Sequence, residues 1–132
     1  MTLILEFKGT PTPKGRPRIS MQSGYAIAYT PTKTRAAENN LRAQATLQLP
    51  ANFTPLTGPL LARIQFRLQR PKSLPKKIIY HTKKSDLDNL LKLLLDALES
   101  VVFVNDSQFV GITMSKEYGV PGISMEITQL EI

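Results

Sequence analysis

Residues 85–98 read Ser85-Asp86-Leu87-Asp88-Asn89-Leu90-Leu91-Lys92-Leu93-Leu94-Leu95-Asp96-Ala97-Leu98. Leu87, Leu90, Leu91, Leu94 and Leu98 fall at the i, i+3, i+4, i+7 spacing of one helical face. Leu93, Leu95 and Ala97 widen that face until little of the helix is left for solvent, so the rest of the chain must cover it. Its polar residues form one stripe: Asp88, Lys92 and Asp96 recur every four residues, and Asp86 stands at the start of the same helix. Two readings fit. Ser85 can cap the helix with Asp88 in the capping-box position, early aspartates suiting the positive end of the helix dipole. Alternatively, the carboxylates serve a cation.

Composition narrows the chemistry. The chain has 132 residues, 42% of them hydrophobic, which is enough for one compact domain over residues 1–132 with a core of its own. It has no cysteine and one histidine, His81, so disulfides, thiolate sites and a multi-histidine zinc site within one chain are excluded. Any metal it holds is bound through oxygen. No apolar run approaches the ~20 residues of a membrane span, and the N-terminus has no leader-like pattern, so a cytoplasmic protein is expected. The net charge of +7 is unevenly spread. Residues 1–85 carry 15 lysines and arginines against Glu6 and Glu38, whereas residues 86–132 carry Lys92 and Lys116 against eight acids. Such a cationic half suits a polyanion, whose counterions are released on binding.

Along the chain, Leu3, Leu5 and Phe7 alternate as a strand, followed by a stiff basic arm, Thr10-Pro11-Thr12-Pro13-Lys14-Gly15-Arg16-Pro17-Arg18, in which three prolines forbid helix. Lys14, Arg16 and Arg18 are candidates for phosphate contact. Tyr25, Ile27 and Tyr29 share a face of a second strand, and the tyrosines are expected to be sheet or core residues in preference to base-stacking platforms. Thr30-Pro31 reads as a helix entry with Thr30 the cap, and Ala37, Leu41, Ala45 and Leu49 form the apolar stripe that follows. Residues 60–69 alternate cleanly, with Arg63 and Arg67 on the outer side. Residues 70–84 then bring six cations and no acid onto the aspartate helix, as a mobile loop in which Lys76, Lys77, Lys83 and Lys84 could hold a polyanion. His81 is expected to be a loop residue. After the helix, Val101-Val102-Phe103-Val104 reads as a short strand, Asn105-Asp106-Ser107 as a turn, and residues 110–127 as a C-terminal antiparallel hairpin. The order β-β-α-β-α-β-β-β makes an α+β domain, a mixed or antiparallel sheet packed by two helices.

A helix–strand return would bring Asp106 back near the helix start, so Asp86, Asp88 and Asp106 form a candidate cluster. Close carboxylates repel unless a cation intervenes, and oxygen ligation favours Mg²⁺, with Mn²⁺ an alternative. Lys92, one turn on, could stabilise negative charge on a phosphate.

Taken together, Lys14-Gly15-Arg16-Pro17-Arg18, Tyr29-Thr30-Pro31, Asp86-Leu87-Asp88-Asn89-Leu90-Leu91-Lys92, Asp96-Ala97-Leu98 and Asn105-Asp106-Ser107-Gln108 resemble the RusA family of Holliday junction resolvases. The resemblance covers roughly residues 5–118 and is most specific in the D-x-D-N-x-x-K element followed by an aspartate turn. Where members often carry two acids this chain has Asn105-Asp106, and Ser85 stands where a proline or basic residue often precedes the first aspartate. The resemblance implies a small Mg²⁺-dependent homodimeric endodeoxyribonuclease that nicks four-way DNA junctions symmetrically in recombination and repair, often encoded by prophages. Its catalytic carboxylates would be Asp86, Asp88 and Asp106, and its essential lysine Lys92. Leu93 and Leu95 could serve a dimer interface or deeper core packing. Two rivals remain: a nuclease for other branched DNA such as flaps and forks, and a non-catalytic junction-binding protein with structural aspartates.

Overall fold

The structure, a computed structural model, describes every residue except Arg16, Pro17, Ser23, Thr30 and Ile132, and leaves aside the side chains of Arg18, Gln22 and Tyr29. Strands β1 (Thr2–Lys8), β2 (Arg18–Gln22) and β3 (Tyr25–Tyr29) precede helix α1 (Thr32–Gln48). Strand β4 (Leu60–Leu68), helix α2 (Leu87–Leu98) and strands β5 (Phe109–Tyr118) and β6 (Gly122–Gln129) follow. The result is the expected α+β domain. Four strands form one mixed sheet in the order β1-β6-β4-β5, and β2 pairs with β3 in a separate ribbon.

The period-2 pattern decides which face of the sheet is covered. Leu5 and Phe7 of β1, Ala62, Ile64, Phe66 and Leu68 of β4, and Ile123, Met125 and Ile127 of β6 are all buried. They pack beneath Leu41 and Ala45 of α1 and beneath Leu90, Leu93, Leu94, Ala97 and Leu98 of α2. Leu93 and Leu95 are buried within this core, so they are not surplus leucines for a dimer interface. The opposite sheet face stays solvated. Its arginine Arg67 is neutralised locally, bonding to Gln65, Ser124 and Glu6, so that face is less basic than its sequence suggests.

Both sheet edges are occupied, which blunts them against strand addition. On β1, Gln48 of α1 accepts from Glu6 N–H and donates to Glu6 C=O, and Gln44 does the same at Lys8, all at 2.7–3.0 Å. On β5, residues 79–81 lie antiparallel: Tyr118 N–H donates to Ile79 C=O and His81 N–H to Lys116 C=O. Arg70 sits over the Tyr118 ring, and His81 packs on the same tyrosine at 5.0 Å. The basic loop expected to be mobile is therefore strapped along β5. His81 is a buried anchor of that strap, and burial together with the nearby Lys116 charge holds its pKa below the usual histidine value.

Three further expectations are corrected. Strands β5 and β6 do not form a hairpin: β4 lies between them, parallel to β5 and antiparallel to β6. Alternation fixes which face a strand buries but not which strand lies beside it, and the turn from β5 to β6 steps over the end of β4, with Gly119 N–H donating to Leu68 C=O. Residues 101–104 are not a strand. Ser100 takes a left-handed φ of 70°, and the N–H groups of Val101 and Val102 bond back to Leu98 C=O, so the chain coils where it was expected to extend. Tyr25 and Ile27 are sheet residues of β3, as expected, and exposed ones; the side chain of Tyr29 lies outside those described. At α1, Pro31 occupies the cap position, while the expected cap Thr30 lies outside the described residues. Among the described residues no helix is long and apolar enough to cross a membrane.

Candidate active site

The two strands β4 and β5 run parallel with α2 as their crossover, which sets where each end of α2 lies. Its amino end meets the C-terminal ends of β4 and β5. Asp86 is the cap residue of α2: its C=O accepts from Leu90 N–H at 3.1 Å, but its carboxylate makes no capping bond. Among the described residues Asp88 Oδ1 accepts only the adjacent Asn89 N–H, at 3.0 Å. The capping box from Ser85 to Asp88 is therefore not formed, and both exposed carboxylates are left facing the solvent end of the helix.

Lys92 lies one turn further on and is half exposed. It pairs with Asp96 at 3.4 Å and not with Asp88. Asp96 is shared, its other oxygen lying 3.0 Å from Lys14 Nζ, which also bonds Glu38 at 2.9 Å. Lys92, Asp96, Lys14 and Glu38 thus alternate in sign across the seam of α1, α2 and the basic arm. Burial pulls the Lys14 pKa down, but hydrogen bonds and charge from Glu38 and Asp96 outweigh it and hold it above the ordinary lysine value. In this arrangement Lys14 clamps the arm, with its backbone N–H donating to Asn89 C=O at 3.0 Å. Of the other candidate phosphate contacts, Arg16 lies outside the described residues and Arg18 opens β2. Lys76, Lys77, Lys83 and Lys84 are exposed on the strapped loop, the last two just ahead of Asp86.

The structure does not bring Asp106 to this end. Asp106 begins a 3₁₀ turn, Asp106–Gln108, that leads straight into β5, whose first residue pairs with Leu60 at the start of β4. The amino end of α2, by contrast, lies beside Lys116, near the far end of β5. Twelve helical residues separate the two ends of α2, about 18 Å at 1.5 Å per residue. The coil after Leu98 is the reason the chain does not return. Asn105 anchors the turn: its side chain accepts Ser107 N–H, Gln108 accepts Asn105 N–H, and Gln108 donates to Leu56 and Gly58 C=O. Asn105 therefore has a capping task, which leaves Asp106 as the acid of this turn. Among the described residues no three acidic or histidine side chains gather as a metal site.

One residue that sequence reading passed over stands close to the carboxylates. Lys116, on the helix-facing side of β5, donates from Nζ to Lys83 C=O at 2.8 Å and to Ser85 C=O at 2.7 Å. It fixes the backbone immediately before Asp86. The only signal in the sequence was a cation at an inward position of the strand, between Met114 and Tyr118. Lys116→Met removes two charge-assisted bonds, each worth about 1 kcal/mol or more, and is expected to lower the melting temperature by several degrees. If Asp86 acts on DNA, the loosened segment also slows cleavage about tenfold or more, with DNA affinity retained and Lys116→Arg restoring part of the rate. Wild-type cleavage by Lys116→Met would remove it as a positioning residue.

Comparison with known proteins bears on the family of the chain. The family described as Endodeoxyribonuclease RusA matches residues 8–128, nearly the whole chain. The chain is also 30% identical over 120 aligned residues, 83% of each protein, to the uncharacterized protein YqaN of Bacillus subtilis (strain 168).

Proposed function

Because this chain belongs to the RusA family of endodeoxyribonucleases, we propose that it resolves four-way DNA junctions as a metal-dependent homodimer in the bacterial cytoplasm, serving recombination and repair. The observation that carries the reading is the D-x-D-N-x-x-K element at the amino end of α2, where the Asp86 carboxylate is not used for capping. Asp86 and Asp88 offer oxygen donors that suit Mg²⁺ or Mn²⁺. A divalent cation held there supplies Lewis-acid polarisation of the phosphate and an activated water. Lys92, whose partner Asp96 is shared with Lys14, is free to turn its ammonium toward charge developing on the phosphate. Lys76, Lys77, Lys83 and Lys84 hold the DNA backbone over the site.

Asp106 enters through the dimer. Within one protomer it stands near the opposite end of α2, so a three-carboxylate site takes Asp86 and Asp88 from one protomer and the partner's Asp106. A two-fold axis then places two such sites on a substrate that itself has two-fold symmetry, and paired nicks follow. This arrangement gives the dimer a chemical reason that the buried Leu93 and Leu95 do not.

The test is cleavage of a labelled synthetic four-way junction, with Mg²⁺ or with EDTA, beside a linear duplex of matched sequence. Paired symmetrical nicks that require metal and spare the duplex are expected. Equal cutting of flaps and forks would move the substrate to branched DNA in general, and binding without cutting under any divalent metal would leave a junction-binding protein.

A further inference from the structure

The ribbon formed by β2 and β3 presents exposed apolar side chains on both of its faces. Its register puts Ile19 and Met21 with Ala26 and Ala28 on one face, and Tyr25 and Ile27 with Ser20 on the other. Ile19, Met21 and Tyr25 are 72%, 69% and 74% exposed, and Ile27 is 45% exposed. A two-stranded ribbon is marginal alone in water, and a cluster of exposed apolar side chains marks a surface that something else covers.

Its position and charge select the occupant. The segment leading into β2 is pinned beside the candidate carboxylates: Lys14 N–H bonds Asn89 C=O and Gly15 N–H bonds Thr34 Oγ1, each at 3.0 Å. A Cβ at Gly15 would lie 2.6 Å from that Thr34 oxygen, so the close approach needs glycine. Only two residues separate Gly15 from β2. Between Glu6 and Glu38 the chain carries no acid and, besides Lys14, which pairs with Glu38 and Asp96, five cations: Lys8, Arg16, Arg18, Lys33 and Arg35. Two such segments would repel each other across a self-association interface, whereas a nucleic acid neutralises them. Apolar side chains rooted among cations suit DNA whose bases are unstacked, since phosphates meet the cations and base faces meet the aromatic and aliphatic groups.

We propose that the β2–β3 ribbon is a wedge that enters the branch point of the junction and packs Met21 and Tyr25, both near its turn, against bases unstacked there. The proposal rests on the junction-resolving reading above. Five-residue strands reach about 17 Å, long enough to carry the turn from the arm into a branch point.

The experiment uses Asp88→Asn protein, so that DNA is held and not cut, and a four-way junction with 2-aminopurine at the branch point. Binding is expected to raise the fluorescence several-fold. With Met21→Thr and Tyr25→Thr added, fluorescence stays near that of free DNA and junction affinity falls about tenfold or more, while affinity for linear duplex holds. Threonine keeps strand propensity at these exposed positions. Unchanged fluorescence and affinity would overturn the wedge, and so would equal losses on junction and duplex. A dimer that becomes a monomer on sedimentation would reassign the ribbon to self-association. Failure of the underlying reading looks different: protein with an intact ribbon would not prefer junction to duplex, and the wedge falls with it.

Discussion

Asp88→Asn is expected to nick a four-way junction at least ~100-fold more slowly than wild type while binding it as tightly or more tightly. The two halves of this result have separate causes. Losing a carboxylate removes a hard anionic oxygen donor and with it the polarisation of the phosphate, so the rate falls. Losing a negative charge beside DNA cannot weaken phosphate attraction, so affinity does not. Misfolding is a poor rival explanation, because the one bond the Asp88 side chain makes among the described residues is accepted from Asn89 N–H, and an asparagine Oδ1 can accept it equally well. Asp86→Asn follows the same logic, since the Asp86 side chain caps nothing and the α2 cap is held by its backbone C=O. Rates are measured on labelled junctions at saturating Mg²⁺, with affinities in Ca²⁺. Wild-type nicking by both variants would end the metal proposal and leave the aspartates as surface groups.

What could be read from the sequence was whatever depends on local period. The leucine pattern located α2 and its buried face, and the alternation over residues 60–68 located β4 and its two sides. The D-x-D-N-x-x-K spacing put Asp86, Asp88 and Lys92 at one helix end because a helix has a fixed rise. Non-local pairing was hidden. Nothing in the alternation of residues 110–127 says that β4 inserts between β5 and β6, and nothing at Lys116 says that its ammonium will hold two carbonyls more than thirty residues away. Residues 101–104 misled for a related reason. Four apolar residues fit a strand or a buried coil equally well, and the left-handed Ser100 that decides between them belongs to a residue type that does not advertise that conformation. That one turn also carried the error to the site, because an extended return would have brought Asp106 back to the helix start.

Mixing two dead proteins is expected to restore cutting. Asp88→Asn and Asp106→Asn, each inactive alone, are combined through two different tags so that only mixed dimers are recovered. If a site takes Asp86 and Asp88 from one protomer and the partner's Asp106, both lesions in the mixed dimer fall in the same site and the other is intact. One strand of each junction is then nicked, at about half the wild-type rate per dimer, and the paired nick on the opposite strand is missing. If each protomer built its own site, both sites would carry one lesion and the mixed dimer would be as dead as its parents. Full activity of Asp106→Asn alone would instead remove Asp106 from the chemistry. The geometry favours the first outcome, because about 18 Å of helix separates the two ends of α2 within a chain and a capped 3₁₀ turn places Asp106 near the far one. If Asp86, Asp88 and Asp106 share one ion, Asp106 must come from another copy of the protein.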